Sequence, residues 1–329
     1  MSFAVYLCAL CGKNYKQMKN QVANPTVSVI ITTFNSSLYI RRTIDSILNQ
    51  QGRDTEFKIE LIVVDDQSTD NTKDIVSEYK EVIFLQNDTN SGGPNKGRNK
   101  GLETSTGDYI CIVDHDDEWI PYKIREQLQH IHISDKYKIV TSNYMQVDVE
   151  RNKEEIRGNK AEEQYIYHQT DETFLNKLKK NSTGERAYIG SILFHKSLKM
   201  NLFEEEYGMV DFDWMLSLFL NNASIEITKP LYRRYFYGSN LSLNENYRKN
   251  DYEWSMKTLS DYEKEYPDIT AISKKRINGS MARYYYVTKN MKQARRYFVS
   301  SEINVKTILY YITSFCGYRF VRRYFNVFG

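Results

Sequence analysis

Three β-branched apolar runs end in polar residues, and no other feature of the chain constrains its fold as tightly. Residues 27–33 read VSVIITT, 59–64 read IELIVV and 109–113 read YICIV. Continuous apolar runs of this length suit strands buried on both faces of a parallel sheet. Between them the spacing turns helical. Ile40, Ile44, Ile47 and Leu48 share a face within 39–50, and 69–80 reads as a second helix capped by Ser68 or Asp70. Residues 82–85 add a short strand, and a Gly-rich loop at 90–97 leads into a helix around 98–103. Strands alternating with helices imply βαβ units with right-handed crossovers. The expected fold class is therefore α/β, a mostly parallel Rossmann-like sheet flanked by helices, with a helical extension at the C-terminal end.

Polar residues collect where such a sheet binds ligands. Asn35, the pair Asp65-Asp66 and the run Asp114-His115-Asp116-Asp117 each follow the C-terminal end of a strand, and open α/β sheets take their ligands outside those ends. The last run is the densest. Three carboxylates within four residues repel, each raising its neighbours' pKa. A divalent cation relieves that conflict, and carboxylate oxygens suit Mg²⁺ or Mn²⁺. A solvated turn ahead of a helix would carry similar acids. No GxGxxG follows the first strand and no Walker lysine motif occurs, which disfavours a dinucleotide dehydrogenase or a P-loop NTPase.

Further along, 146–183 is polar and charge-rich and reads as a connecting region bordering a substrate site, with helix around 172–180. Residues 188–194 read as a strand, 211–220 as a helix with an acidic start, 225–237 as a strand broken at Pro230, and everything beyond 251 as helix. With 329 residues, 41% hydrophobic and 26% charged, the chain has the composition of a soluble globular protein. No apolar stretch reaches the length of a membrane span. The first ten residues lack a basic n-region, so no secretory signal is expected. Cys8 and Cys11 form a lone CxxC without a second pair, which argues against zinc, and a reducing cytoplasm is the expected compartment. The net charge of +3 is unevenly spread: from 271 to 329 twelve basic residues face one acid, Glu302. A nucleic acid or an anionic membrane surface can use such a patch, as can a basic helical face with its aromatic side packed inward.

Taken in order and spacing, VSVIITTFN (27–35), ELIVVDDQSTDNT (60–72), NSGGPNKGRNKGL (90–102), TGDYICIVDHDDEW (106–119) and VDFDW (210–214) resemble glycosyltransferase family 2. These are the inverting nucleotide-sugar transferases of GT-A fold, and the resemblance covers 26 to about 245. It implies that Asp66, with its neighbour Asp65, contacts the nucleoside, and that Thr33 and Asn35 line the base and ribose. Arg98 and Asn99 match the Arg-Asn that follows the family's Gly-rich loop. The acidic run matches the family's metal and sugar motif. Asp116 is the expected metal ligand, with Asp114 and Asp117 on the sugar or behind the metal. The register stays open between Asp114-x-Asp116 and Asp116-Asp117. Asp211 matches the base of a Glu-Asp pair, but Val210 stands where the Glu would be, Asp213 lies two residues on, and either acid also suits a helix start. In Tyr232-Arg233-Arg234-Tyr235, Tyr235 replaces a His found in many relatives. Arg233 or Arg234 is the expected phosphate clamp.

The resemblance thus implies a metal-dependent inverting transferase, using Mn²⁺ or Mg²⁺. It would move a sugar from a nucleotide donor, UDP by family habit, to a hydroxyl of a glycan or lipid-linked acceptor in surface polysaccharide synthesis. Two other readings compete. A sugar-phosphate nucleotidyltransferase would carry a Gly-rich basic loop after the first strand, where this chain has TTFNSS. A non-catalytic protein of the same fold would bind through the basic C-terminal helices. The expected domains are an extension at 1–25, the GT-A domain at 26–250 and a helical region at 251–329. Within the last, 282–298 looks like one tetratricopeptide-style hairpin. Residues 308–328, with Arg319, Arg322 and Arg323, suit a helix lying on an anionic membrane at its inner face, or a structural or oligomer-forming helix. No nucleic-acid partner is expected. His130, His132, His168 and His195 do not have the spacing of a ligand set.

Overall fold

The computed structural model describes residues 24–180, 187–207, 210–237 and 244–316. Cys8 and Cys11, the 238–242 loop, and Arg319, Arg322 and Arg323 lie outside the described residues. In chain order the elements are β1 (Thr26–Thr33), α1 (Ile40–Leu48), β2 (Lys58–Asp65), α2 (Thr72–Ser77), β3 (Val82–Gln86), α3 (Asn95–Thr104), β4 (Tyr109–Asp114), β5 (Glu118–Trp119), α4 (Lys123–Ile131), β6 (Tyr137–Asp148), β7 (Lys153–Arg157), β8 (Tyr165–His168), α5 (Glu172–Leu178), β9 (Leu193–His195), α6 (Phe212–Phe219), β10 (Ala223–Phe236), α7 (Glu245–Asp261), α8 (Pro267–Val287), α9 (Met291–Val299) and α10 (Val305–Thr313). The chain divides into two compact units. One comprises the residues up to Thr173 together with Thr183–Asn240, and the other comprises Phe174–Ser182 with the residues from Leu241 onward.

The first unit is built on a sheet of order β3-β2-β1-β4-β9-β6-β10-β5, with β7 on β6 and β8 on β10. Strands β3, β2, β1 and β4 are parallel. Val27, Val29, Ile30 and Ile31 of β1 and Ile62 and Val63 of β2 are fully buried, each contributing about 1.5–3 kcal/mol by burial. The parallel register sets Thr33 beside Asp65 and Thr32 beside Asp114. Three strand ends therefore lie level, and their loops open on one edge. Helix α3 lies close against β1 because its contact positions are glycines. A Cβ at Gly101 would fall 2.4 Å from Ile30 Cγ2, and one at Gly97 would fall 2.9 Å from Thr32 Cγ2. This approach carries Arg98 toward the end of β4.

The rest of the sheet is more mixed than strand–helix alternation suggests. β9 runs antiparallel to β4 and β6, while β10 is parallel to β6 and antiparallel to β5 and β8. Two expectations need correction. The polar stretch after 146 is not a mere connection, since β6 extends to Asp148 and is followed by β7 and β8. Nor is 188–194 a single strand. A 3-10 turn occupies Ile189–Ser191, where Ser191 Oγ donates to the Tyr188 carbonyl at 2.7 Å, and only Leu193–His195 is extended. In β10, Pro230 coincides with shifts in the pairing with β6, as expected of a residue without an N–H.

Lys123 of α4 is fully buried beneath the sheet. Its ammonium donates to Gln127 Oε1 at 2.7 Å and lies 4.2 Å from the Trp119 ring centre. Burial pushes its pKa down from the ordinary lysine value, partly opposed by Cys111. The unfolded chain then holds more protons than the native one between that lowered value and about 10.5, so native stability rises with pH across the window. Melting temperatures of the wild type relative to Lys123→Met are expected to climb as the pH is raised toward about 10.5. A flat difference would show the buried lysine fully charged throughout.

The second unit is helical. Met281, Ala282, Tyr285 and Tyr286 of α8, Ala294 and Phe298 of α9 and Tyr310 of α10 form its core. Tyr286 meets Tyr310 edge-on at 4.9 Å, and Phe298 stacks on Tyr310 at 6.0 Å. The Asn290 side chain accepts from the Gln293 backbone N–H and caps α9. On α10, Ile308, Leu309 and Ile312 stay exposed. Among the described residues no helix is long and apolar enough to cross a membrane.

Candidate functional site

At the C-terminal edge of the parallel strands, four loops are tied together by side chains. Asp66 takes the Asn87 amide at 2.7 Å and the Ser91 backbone N–H at 3.0 Å, and its own N–H donates to the Thr33 carbonyl at 2.8 Å. Asp65 is fully buried and accepts from the Ser68 N–H at 3.0 Å and the Gln86 amide at 2.9 Å. Asp65 thus holds the turn after β2, while Asp66 ties it to Asn87 and Ser91. Asn35 sits in the left-handed region at φ 48°, its N–H on Ser68 Oγ at 2.9 Å and its Oδ1 on the Thr69 N–H at 2.8 Å. Thr33 is buried and pairs with Ser36. Thr33 is thus enclosed within this loop, while Asn35 helps shape it and stays exposed at its surface.

The acidic turn after β4 is fixed from below by α1. Thr43 Oγ1 lies 2.7 Å from the carbonyls of both His115 and Asp117, and Arg42 donates to the Asp116 carbonyl at 2.6 Å. With its backbone so held, the turn presents three carboxylates in three environments. Asp114 is paired with Arg98 at 3.0 Å. Asp117 is buried; one oxygen accepts from the Tyr235 N–H at 3.3 Å, and the other has no hydrogen-bond partner. Burial, then Asp116 and Asp114, push the Asp117 carboxyl well above its ordinary value, against the pull of Arg234. Asp116 is partly exposed and also raised, first by burial and further by Asp114, with His115 opposing. His115 itself turns back, its Nδ1 lying 3.3 Å from the Thr32 carbonyl.

Alternation along β10 separates its two arginines. Arg234 lies 4.2 Å from the Tyr188 ring centre, and its charge is favoured by Tyr188, Tyr232 and Asp117 although burial works against it. Arg233 belongs to the other face, beside Tyr235, Glu154 and Glu118. Of the two, Arg234 is the one turned toward the acidic turn. Tyr235 donates to Glu118 at 2.6 Å, and Arg42 stacks on its ring at 3.8 Å.

Asp211 stands at the residue before α6, with no side-chain hydrogen bond capping the helix. Burial pushes the Tyr188 phenol up, and the charges of Arg234, Asp114, Asp211 and Asp117 act on it. Asn95 links Arg98 to the segment before Asp211. It is fully buried, donates to the carbonyls of Glu204 and Val210 at 2.8 Å each, and accepts from Arg98 at 3.1 Å. Asn99 holds the neighbouring segment through Phe203 N at 2.8 Å, the Phe203 carbonyl at 2.9 Å and Glu205 at 2.6 Å. Its amide braces 203–205 and is spent there. Sequence reading missed Asn95, Arg42, Thr43 and Tyr188. Asn95 lay within the quoted Gly-rich segment, but the two carbonyls it holds are more than 100 residues away.

The fit to a divalent cation rests on the unpartnered oxygen of Asp117 and on the crowding of Asp114, Asp116 and Asp117. Among the described residues no three His, Cys, Asp or Glu side chains gather in a metal-holding group. Mg²⁺-like ions commonly take one or two carboxylates and complete the shell with water and substrate phosphates, so the donor set fits a cation that arrives with a diphosphate.

A mixed sheet whose parallel strands mass polar groups at one set of ends defines an α/β protein with a ligand edge there. Residues 28–199 match the sequence profile described as Glycosyl transferase family 2, and the chain belongs to that family. Among curated proteins it is 45% identical over 93 residues to poly(ribitol-phosphate) beta-N-acetylglucosaminyltransferase TarS of Staphylococcus aureus, covering 27% of this chain and 16% of that one. It is 39% identical over 111 residues to the putative teichuronic acid biosynthesis glycosyltransferase TuaG of Bacillus subtilis, covering 32% and 41%. The chain therefore spans less than half the length of either relative. In fold it resembles the crystal structure of S. aureus TarS 1–349 in complex with UDP-GlcNAc, with a TM-score of 0.60, 19% identity, and coverage of 92% of this chain and 91% of that one. The likeness places the chain in the same mixed α/β, GT-A architecture.

Proposed function

We propose that this chain transfers a sugar from a UDP-linked donor to a hydroxyl of a cell-wall glycan, with inversion and with the help of Mn²⁺ or Mg²⁺. The observation that carries the reading is a run of contacts at one edge of the sheet: Arg98 pairs with Asp114 at 3.0 Å and donates at 3.1 Å to Asn95, which holds the Val210 carbonyl next to Asp211 at 2.8 Å. Support for the donor comes from the TarS crystal structure, which contains UDP-GlcNAc. Support for the acceptor comes from the names of the relatives, which act on poly(ribitol-phosphate) or in teichuronic acid synthesis.

In this reading Asp66 accepts hydrogen bonds from the nucleoside, and Arg98 holds Asp114 in place for the sugar. Arg234 offers its guanidinium to the diphosphate, a geometry that suits paired N–H···O bonds. Asp211 takes the proton from the acceptor hydroxyl on the face opposite the leaving group. A divalent cation held at Asp116 would stabilise charge on the departing diphosphate.

Calorimetric titration with UDP, GDP, CDP and dTDP, each in Mn²⁺ and in EDTA, tests the donor assignment. UDP is expected to bind in the micromolar range with metal and more weakly in EDTA, and to lose that binding in Asp66→Ala. Failure of all four nucleotides to bind would overturn the reading.

Asn95→Ala separates positioning from binding. Truncation leaves the buried Val210 and Glu204 carbonyls without their donor, at about 1–3 kcal/mol, and frees the segment that carries Asp211. Turnover should fall about tenfold or more, because small misplacements of a reacting group are costly, while UDP affinity stays within about twofold. Equal losses in both would assign Asn95 to the donor site instead.

A further inference from the structure

A cavity of about 480 Å³ opens within the helical unit, walled by α7, α8 and α10. Six cations line it, Lys180, Arg248, Lys275, Arg276, Arg283 and Lys306, against two carboxylates, Asp251 and Glu302. Both carboxylates are engaged: Arg276 meets Glu302 at 3.0 Å and Arg248 meets Asp251 at 4.0 Å. Among the described residues no carboxylate pairs with Lys275, Arg283 or Lys306. Like charges gathered in a concave wall repel one another more than they would on an open helix face, because less water screens them.

The wall is shaped to keep Arg283 available. Arg276, Gly279, Ser280 and Arg283 fall on one face of α8 by their spacing. A Cβ at Gly279 would come within 3.3 Å of the Arg283 guanidinium, so glycine there leaves that group room to lie along the helix. Arg283 is open to solvent at the cavity, yet the surrounding protein is enough to lower its pKa, burial being the largest cause. The N-terminal turn of α10, with Asn304 capping Thr307, also lines the cavity, and its free end favours negative charge.

We propose that this cavity is a binding site for the phosphodiester groups of a soluble, flexible polyanion, with Arg283 and Lys275 as its principal contacts. Guanidinium and ammonium groups converging in a recess match phosphate oxygens. A membrane surface would call for a flat or convex face with apolar side chains inserted, which a recess with charged walls does not provide. The inference goes beyond the transferase reading and stands or falls independently of it.

The test uses the full chain and a soluble oligomer of glycerol phosphate, titrated calorimetrically at low and physiological salt. Lys275→Gln/Arg283→Gln should weaken binding at least tenfold. Lys292→Gln/Arg296→Gln, which removes the same charge from exposed positions outside the cavity, should change it less than twofold. Asp66→Ala should leave it unchanged, so a failed donor assignment is not mistaken for a failed anion site. Unaltered melting temperatures would exclude unfolding as the cause. Equal losses in the two double variants would reduce the effect to diffuse charge and overturn the site, as would absence of binding. A parallel sedimentation arm uses phosphatidylglycerol vesicles. Cavity-dependent binding to vesicles but not to the soluble oligomer would overturn the soluble polyanion in favour of a lipid headgroup.

Discussion

Asp211→Asn is expected to cut turnover by about 10²–10⁴-fold, the range associated with loss of a general base, while UDP affinity changes less than about threefold. The substitution is close to a pure test of proton transfer. Asp211 makes no side-chain cap hydrogen bond to α6 (Phe212–Phe219) and Asn is equally accepted at that position, so the start of the helix keeps its geometry. Val210 remains held by Asn95 at 2.8 Å. What disappears is the carboxylate that can accept a proton. Asp213→Asn is the comparison, because Asp213 stands in the first turn of the same helix and the amino-acid pattern alone does not separate the two. Steady-state rates with UDP-GlcNAc and a teichoic-type acceptor, beside calorimetric UDP binding, make the measurement. If Asp213→Asn were the damaging change and Asp211→Asn were tolerated, the base assignment would move two residues along the chain.

The second large effect is expected at the acidic turn. Asp116→Asn should weaken UDP binding in Mn²⁺ by roughly 10- to 150-fold, corresponding to a lost charged contact of about 1.5–3 kcal/mol, and should do little in EDTA. Arg42 grips the Asp116 carbonyl rather than its carboxylate, so the turn keeps its path when the side chain is neutralised. Asp114→Asn decides the register. Its carboxylate is already paired with Arg98 at 3.0 Å, so its loss should release Arg98 and damage binding with metal and without it. A loss restricted to the metal-containing titration would make Asp114 the primary ligand and displace Asp116 from that role.

Much of this site is visible in local patterns because local physics sets it. Buried strands demand uninterrupted apolar runs, which mark 27–33, 59–64 and 109–113 at a glance, and the polar residues that follow mark the ligand edge without any knowledge of pairing. The same logic fails for β7 (Lys153–Arg157) and β8 (Tyr165–His168). β7 is KEEIR, a largely exposed strand whose order comes from its antiparallel partner β6 rather than from its own hydrophobicity. The short 3-10 turn at Ile189–Ser191 was masked by apolar neighbours that are buried whichever conformation they adopt.

Side-chain roles divide along the same line. That a carboxylate-rich turn, an arginine pair and a helix-start aspartate exist is written in the amino-acid order, and kinship assigns them provisional tasks. Which arginine turns inward is not written there. Arg233 and Arg234 must face opposite sides of a strand, but only the pairing of β10 with β5 and β6 decides that Arg234 meets Asp117 and Tyr188. Asn95 is equally mute as a letter between Pro94 and Lys96. Its meaning comes from carbonyls at Glu204 and Val210, which glycine-permitted packing of α3 on β1 and the return of the chain bring within 2.8 Å. Thus the sequence by itself determined the parallel strands, their polar ends and the chemistry on offer, since these follow from interactions between residues close along the chain. Tertiary structure alone decided which of those groups face one another, because hydrogen bonds and charge pairs require proximity in space that no local pattern encodes.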